Sequence, residues 1–230
     1  MKRFLGILLS LLGMQAGFAA ELTSAAGVIR EETGAVVISI RYPSALPDKA
    51  ISVAEKAFVE AQKEDFLKQA ATMSMPENPL PGKNGLDIRY RIPFQTKNAL
   101  SIRYSLSRFF RGSAHPDNTV VTHNYLEGES VTLRELLKPD ALPKLANAAR
   151  ELLASHDLSD EEWLKTGSAP VFKNYSRWYF TPDGLAIVFD TYQVAPYVFG
   201  PQTVKFSRED IKTWLKPGVA RRVWGAHGGV

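Results

Sequence analysis

Cysteine is absent from all 230 positions. No disulfide can therefore staple the fold, no thiolate can ligate a metal, and lipid attachment through a cysteine is closed. Long apolar runs are also missing. Phe4 to Leu12 is the longest near the N-terminus, well short of the roughly 20 residues that span a bilayer. Histidine is scarce: His115, His123, His156 and His227 are the four, and no two share a metal-ligand spacing on one helix. The chain has no Gly-rich phosphate loop with its lysine, no His-Glu-x-x-His and no Gly-x-Ser-x-Gly. No metal and no cofactor are expected.

The N-terminus is read as a targeting segment. Lys2 and Arg3 form a basic n-region, Phe4 to Leu12 an apolar h-region, and Gly17-Phe18-Ala19 a small-residue cleavage site. Residues 1–19 are thus expected to be a signal peptide, with the mature chain starting at Ala20 in the periplasm or outside the cell. Their loss removes two basic and no acidic residues, so the net charge falls from +4 to +2. So mild a basic balance gives little support to nucleic-acid binding. About 210 residues suffice for a sizeable core without staples.

Val36, Ile38, Ile40 and Tyr42 alternate as a strand that ends at Pro43. Pro47-Asp48 opens a helix whose stripe of Ile51, Ala54, Phe58, Ala61, Phe66 and Ala70 runs to about Met73. After a Pro- and Gly-rich loop, Leu86 to Phe94 and Leu100 to Leu106 alternate as a hairpin about Thr96-Lys97-Asn98, and Thr119 to Leu126 is a third strand. Thr132 with Glu135 is a capping box, Ala141 to Ser155 an amphipathic helix, and Ser159 with Glu162 a second capping box. The acids Asp157, Asp160, Glu161 and Glu162 suit a helix start. Strands return at Val171–Phe180 and Leu185–Tyr192 about the turn Thr181-Pro182-Asp183-Gly184. Val204–Phe206 is a last strand and Ser207–Leu215 a terminal helical turn. The class expected is α+β, in two coupled parts, with mainly antiparallel sheets and helices packed on one face.

Three groups of residues carry possible function. On the face opposite the core, the strands place Arg41, Arg89, Arg91 and Arg103, with Arg108 and Arg111 beyond and Asp87 as the clear counter-charge. Such arginines suit carboxylate or phosphate. Gly112-Ser113-Ala114-His115-Pro116 sets a hydroxyl near an imidazole, but no third residue can be named to orient the base. Tyr175, Trp178, Tyr179, Phe180, Phe189, Tyr192, Tyr197 and Phe199 supply rings for the core or for stacking on a ligand.

With these segments placed, the chain resembles the RsiV/PdaC-type extracytoplasmic domains of unknown function. The motifs are Tyr42-Pro43 before the helix, Leu100-Ser101 with Tyr104, Gly112 to Pro116, Asn124-Tyr125 with Thr132 to Leu137, and Asn174-Tyr175 with Thr181–Leu185 and Tyr192–Gly200. Ser113 stands where the family usually has glycine. The resemblance implies a cell-envelope setting and binding to wall material or to a wall-degrading enzyme such as lysozyme. It also divides the chain into an N-terminal PdaC-like part, 20–110, an RsiV-like part, 111–217, and a flexible tail, 218–230.

The function expected is therefore a non-catalytic envelope-binding protein whose ligand is peptidoglycan, another anionic envelope polymer or a muramidase. The candidate binding residues are Arg89, Arg91, Arg103, Arg111, Ser113, His115, Tyr192 and Tyr197. The alternative is an envelope hydrolase using Ser113 and His115. No transmembrane anchor is expected, and oligomeric state is not readable from the sequence.

Overall fold

The computed structural model describes residues 26–72, 82–155 and 160–225. The signal segment expected at 1–19, along with His156, Ser159 and His227, lies outside them. Six strands form the first sheet in sequence order: β1 (Ala26–Glu32), β2 (Val36–Pro43), β3 (Asn84–Gln95), β4 (Ala99–Phe109), β5 (Asp117–Leu126) and the two-residue β6 (Glu129–Ser130). All neighbours are antiparallel except β2 and β3. Between those two, helix α1 (Lys49–Thr72) carries the chain back along the sheet, as a parallel pair requires. The sequence pattern does not reveal β1, because Val28 and Ile29 are followed by Arg30, Glu31 and Glu32. Pairing with β2 makes it a strand, and its charges suit an exposed edge.

The alternating residues of β2, β3 and β4 turn one face towards α1. Ile38, Ile40, Leu86, Ile88, Ile102, Tyr104 and Leu106 pack there with Ile51, Val59 and Phe66 of the helix, all buried. At its start, Asp48 Oδ1 accepts the Ala50 N–H at 2.8 Å, which satisfies one of the amides a helix leaves unpaired.

A carboxylate stands in the middle of this apolar contact. Glu55 of α1 is fully buried. The hydroxyls of Tyr104 and Tyr125 each donate to it at 2.7 Å, and His123 Nδ1 lies 2.9 Å from both its oxygens. Burial first, and then the Glu55 carboxylate, hold the Tyr104 and Tyr125 phenols well above their ordinary range; burial does the same for Tyr175. Unfolded tyrosines lose their protons near pH 10. Above that pH the unfolded chain binds fewer protons than the native one, so the stabilisation present below it is lost as pH rises. Each of the three tyrosines is expected to contribute up to ~1.4 kcal/mol per pH unit to that decline. Urea denaturation at pH 9, 10 and 11 measures the slope, and Tyr104→Phe should make it shallower.

The second part holds α2 (Leu133–Leu136), α3 (Ala141–Ala154), α4 (Glu161–Gly167) and a 3-10 turn (Phe172–Tyr175). A three-stranded antiparallel sheet follows, β7 (Trp178–Thr181), β8 (Gly184–Phe189) and β9 (Gln202–Ser207), then α5 (Arg208–Ile211) and α6 (Val219–Trp224). Thr132 and Glu135 form the expected capping box. Asp160 caps α4 by accepting the Trp163 N–H at 2.8 Å. The core joins Leu136, Leu145, Ala149 and Leu153 to Phe180, Leu185, Ile187 and Phe206.

The structure departs from the sequence pattern in four places. Residues 172–175 are not strand: Asn174 Nδ2 donates to Thr166 O and Ala169 O, and Tyr175 Oη to Ser168 O, tying the segment to the end of α4. The strand expected to reach Tyr192 ends at Phe189. The tail expected from residue 218 instead forms α6, because Val219 and Val223 are buried and Trp224 Nε1 donates to Thr181 O at 2.8 Å. The expected division after residue 110 falls within the first sheet, since β5 pairs with β4 from Ala99↔Leu126 to Arg108↔Asp117 and the sheet runs on to Ser130.

Polar side chains staple the two sheets together. Ser101 Oγ donates to Asn124 Oδ1 at 2.6 Å and accepts the Phe180 N–H, while Asn124 Nδ2 donates to Trp178 O. Beside them, Asp190 accepts the Val120 N–H at 3.0 Å and the Thr119 hydroxyl. Arg177 pairs with Asp190 at 2.8 Å and donates to Val120 O, which caps the free edge of β5.

Candidate binding face

From Ile102 to Ser107 the even residues of β4 are buried and the odd ones are not, so alternation leaves the face turned away from α1 polar there. Arg91 on β3 stands directly opposite Arg103 on β4, and Arg89 opposite Ser105. Arg89 is exposed, and its Nε lies 2.8 Å from Asp87. Arg91 donates to the Tyr179 hydroxyl at 3.0 Å, with its guanidinium 5.4 Å from the ring centre. Arg103 donates to Ser105 Oγ at 2.9 Å, whereas its buried Nε has no hydrogen-bond partner. Burial, and then the facing Arg91 charge, pull the Arg103 pKa below its ordinary value. Two cations held opposite one another favour an anion beside them.

The stripe is narrower than the sequence suggests. Arg108 lies on the α1 face and donates to Gln62. Arg111 sits in the turn after β4, where its backbone N–H donates to Asn84 Oδ1 at 2.8 Å. The second sheet covers one end of the face, packing Tyr179, Ala186 and Val188 on Val120.

At the other end the loop between β8 and β9 brings three of the anticipated residues together. The His115 ring stacks on Tyr197 with centres 3.9 Å apart and planes inclined by 26°. Tyr192 Oη lies 3.3 Å from His115 Nε2. Tyr197 Oη donates to Pro116 O at 3.0 Å and accepts from Asn118 Nδ2 at 2.8 Å. Asn118 stands opposite Ser107 on the arginine face, so it ties the aromatic cluster to that face. Tyr192 is half exposed, and beside the cluster Val198 and Phe199 are exposed as well.

The loop is anchored from below. Gln193 Nε2 donates to Gly167 O and Asn174 O, and Trp163 Nε1 to Tyr192 O. Tyr192 itself has φ +65°, a left-handed conformation unusual for a residue with a side chain. Asn118 and Val198 escaped the sequence reading, because only the fold carries β5 to this loop.

The Ser113–His115 pair is not assembled as a catalytic couple. His115 Nδ1 lies 2.9 Å from Pro116 O. A carbonyl only accepts, so Nδ1 carries the proton and Nε2 faces the Tyr192 hydroxyl. Ser113 is exposed in the turn, its backbone N–H bonded to Phe110 O. Among the described residues no group of histidines and carboxylates could hold a metal ion, and no helix is long and apolar enough to cross a membrane.

The chain is similar to known proteins in sequence and in fold. Residues 134–209 match the family described as Protein of unknown function (DUF3298). Over 184 residues the chain is 30% identical to the Peptidoglycan-N-acetylmuramic acid deacetylase PdaC of Bacillus subtilis (strain 168), a match covering 77% of this chain but only 38% of that protein. Two solved DUF3298 structures share the fold, each with a TM-score of 0.59. The one from Bacteroides fragilis NCTC 9343 is 15% identical and overlaps 84% of this chain and 92% of its own; the one from Pseudomonas aeruginosa PAO1 is 17% identical and overlaps 84% and 93%. The chain is thus similar to the DUF3298 family over residues 134–209 and to PdaC over 184 residues, in keeping with the resemblance its five motifs carry.

Proposed function

We propose that this chain is a non-catalytic binding module of the cell envelope, periplasmic or secreted after loss of residues 1–19, and that its ligand is peptidoglycan or a related anionic wall polymer. The observation that carries this reading is the junction at Asn118, where the Tyr192–His115–Tyr197 cluster meets the face bearing Arg89, Arg91 and Arg103. Aromatic faces suit sugar rings, and arginine forks suit carboxylates. A polymer alternating the two would engage both halves of the surface. The left-handed Tyr192 supports the same site, since strain of this kind gathers where ligands are held. The relative named for peptidoglycan deacetylation supports the envelope setting. A basic muramidase would be repelled by the arginines, which favours the polymer over an enzyme as partner.

Co-sedimentation of residues 20–230 with purified sacculi at low and high salt tests this. Binding is expected at low salt and should weaken at high salt. Tyr192→Ala and Arg89→Ser, both exposed, should each weaken it about tenfold. Sedimentation indifferent to both substitutions, or absent at low salt, would sink the proposal. Retention on lysozyme instead would make a muramidase the partner.

A further inference from the structure

We propose a second binding site, for an acidic sugar, in the cleft between β5, α2 and the Phe172–Tyr175 turn. The cleft has a volume of about 510 Å³, within the range of ordinary small-ligand sites. It lies about 15 Å along β5 from Asn118, at the 3.3 Å rise of a strand, and the inference is independent of the envelope-binding reading.

The lining is one-sided in charge. Arg134 and Lys173 contribute cations, and among the described residues no aspartate or glutamate lines the cleft. Neither cation has an ion-pair partner among the described residues. The nearby acid Glu135 is committed to the Thr132 capping box. Arg134 is held in advance, its guanidinium 4.0 Å above the Phe172 ring. A guanidinium held over a ring by its charge still has N–H groups to offer a planar carboxylate.

The remaining lining suits hydroxyl groups rather than a bare anion. Thr122 and Ser176 bring hydroxyl side chains to the lining, that of Ser176 donating to Lys173 O at 2.9 Å. Thr122 Oγ1 already accepts the Trp178 N–H at 3.1 Å, so its own O–H remains to donate. Hydroxyls beside two cations match the hydroxyls and the carboxylate of an acidic sugar. A simple inorganic anion would use the two cations and leave these groups idle.

Titration of the uniformly ¹⁵N-labelled chain, residues 20–230, with glucuronate, glucose and inorganic phosphate separates the possibilities. Glucuronate is expected to give saturable shifts centred on Thr122, Ser130 and Ser176, with glucose and phosphate at least about tenfold weaker. Arg134→Gln combined with Lys173→Gln should weaken glucuronate about tenfold while leaving the melting temperature unchanged, because both side chains are exposed. Phosphate binding as tight as glucuronate would reduce the cleft to a plain anion site and overturn the proposal. Equal binding of glucose, shifts centred elsewhere, or none by about 50 mM would overturn it too.

Discussion

Glu55→Ala is expected to destabilise the protein by about 3–5 kcal/mol. Three donors converge on this fully buried carboxylate from strands β4 and β5, while the residue itself belongs to α1. Truncation would leave the hydroxyls of Tyr104 and Tyr125 and the imidazole N–H of His123 without an acceptor. The cost of stranding such groups exceeds the net worth of the bonds themselves. Phe58, whose ring meets those of Tyr104 and His123, would also lose packing beside the new cavity. Glu55→Gln keeps the volume and one acceptor oxygen, so about half the loss is expected. Urea denaturation at pH 7 reads both variants. A loss below about 1 kcal/mol in Glu55→Ala would mean that the three donors find other acceptors and that the cluster is not a clamp.

Gly167→Ala is expected to cost about 3 kcal/mol and to disturb the binding loop together with the core. A methyl group at this buried position would stand 1.8 Å from Gln193 O and 2.8 Å from its carbonyl carbon. Those are backbone atoms and cannot swing aside as a side-chain tip can. They belong to the residue that follows the strained Tyr192, whose own carbonyl is held by Trp163. Relief of the clash therefore pushes the aromatic cluster off its seat. Sacculus binding should fall with stability, whereas Gly34→Ala, with nothing within 4 Å of the added methyl, should change neither. Unaltered stability in Gly167→Ala would show that the loop moves freely over α4.

The motifs that carry the resemblance look different once folded. Asn124 and Tyr125 are adjacent in sequence but serve opposite faces of β5. Asn124 staples the second sheet through Ser101 and Trp178 O, and Tyr125 clamps α1 through Glu55. Gly184 is required by close approach, since a side chain there would meet Phe206 O at 2.0 Å. Much of what these motifs contribute therefore maintains the join between the two sheets. The loop from Tyr192 to Gly200 is the motif that also presents a surface.

Strong alternation in β2 to β5 and the helical stripe of α1 were legible because each element buries a whole face, and burial of that kind imposes a period on the residues. The arginines could be assigned to the outer face of the sheet for the same reason. Segments whose shape depends on one or two distant contacts left no such imprint. Charged β1 is a strand through pairing with β2, residues 172–175 form a 3-10 turn through Asn174 and Tyr175, and α6 is held by Val219, Val223 and Trp224.

By itself the sequence determined the α+β class, the main elements and the family resemblance, since periodicity and turn chemistry act over a few neighbouring residues. Only the tertiary structure decided that His115 pairs with Tyr192 and Tyr197 rather than Ser113, and that Arg108 leaves the stripe while Asn118 joins it. The fold also decided that a glutamate in α1 lies buried under two tyrosines. Each of those outcomes depends on residues some 46 to 82 positions apart, brought together by strand order and register, which no local pattern encodes.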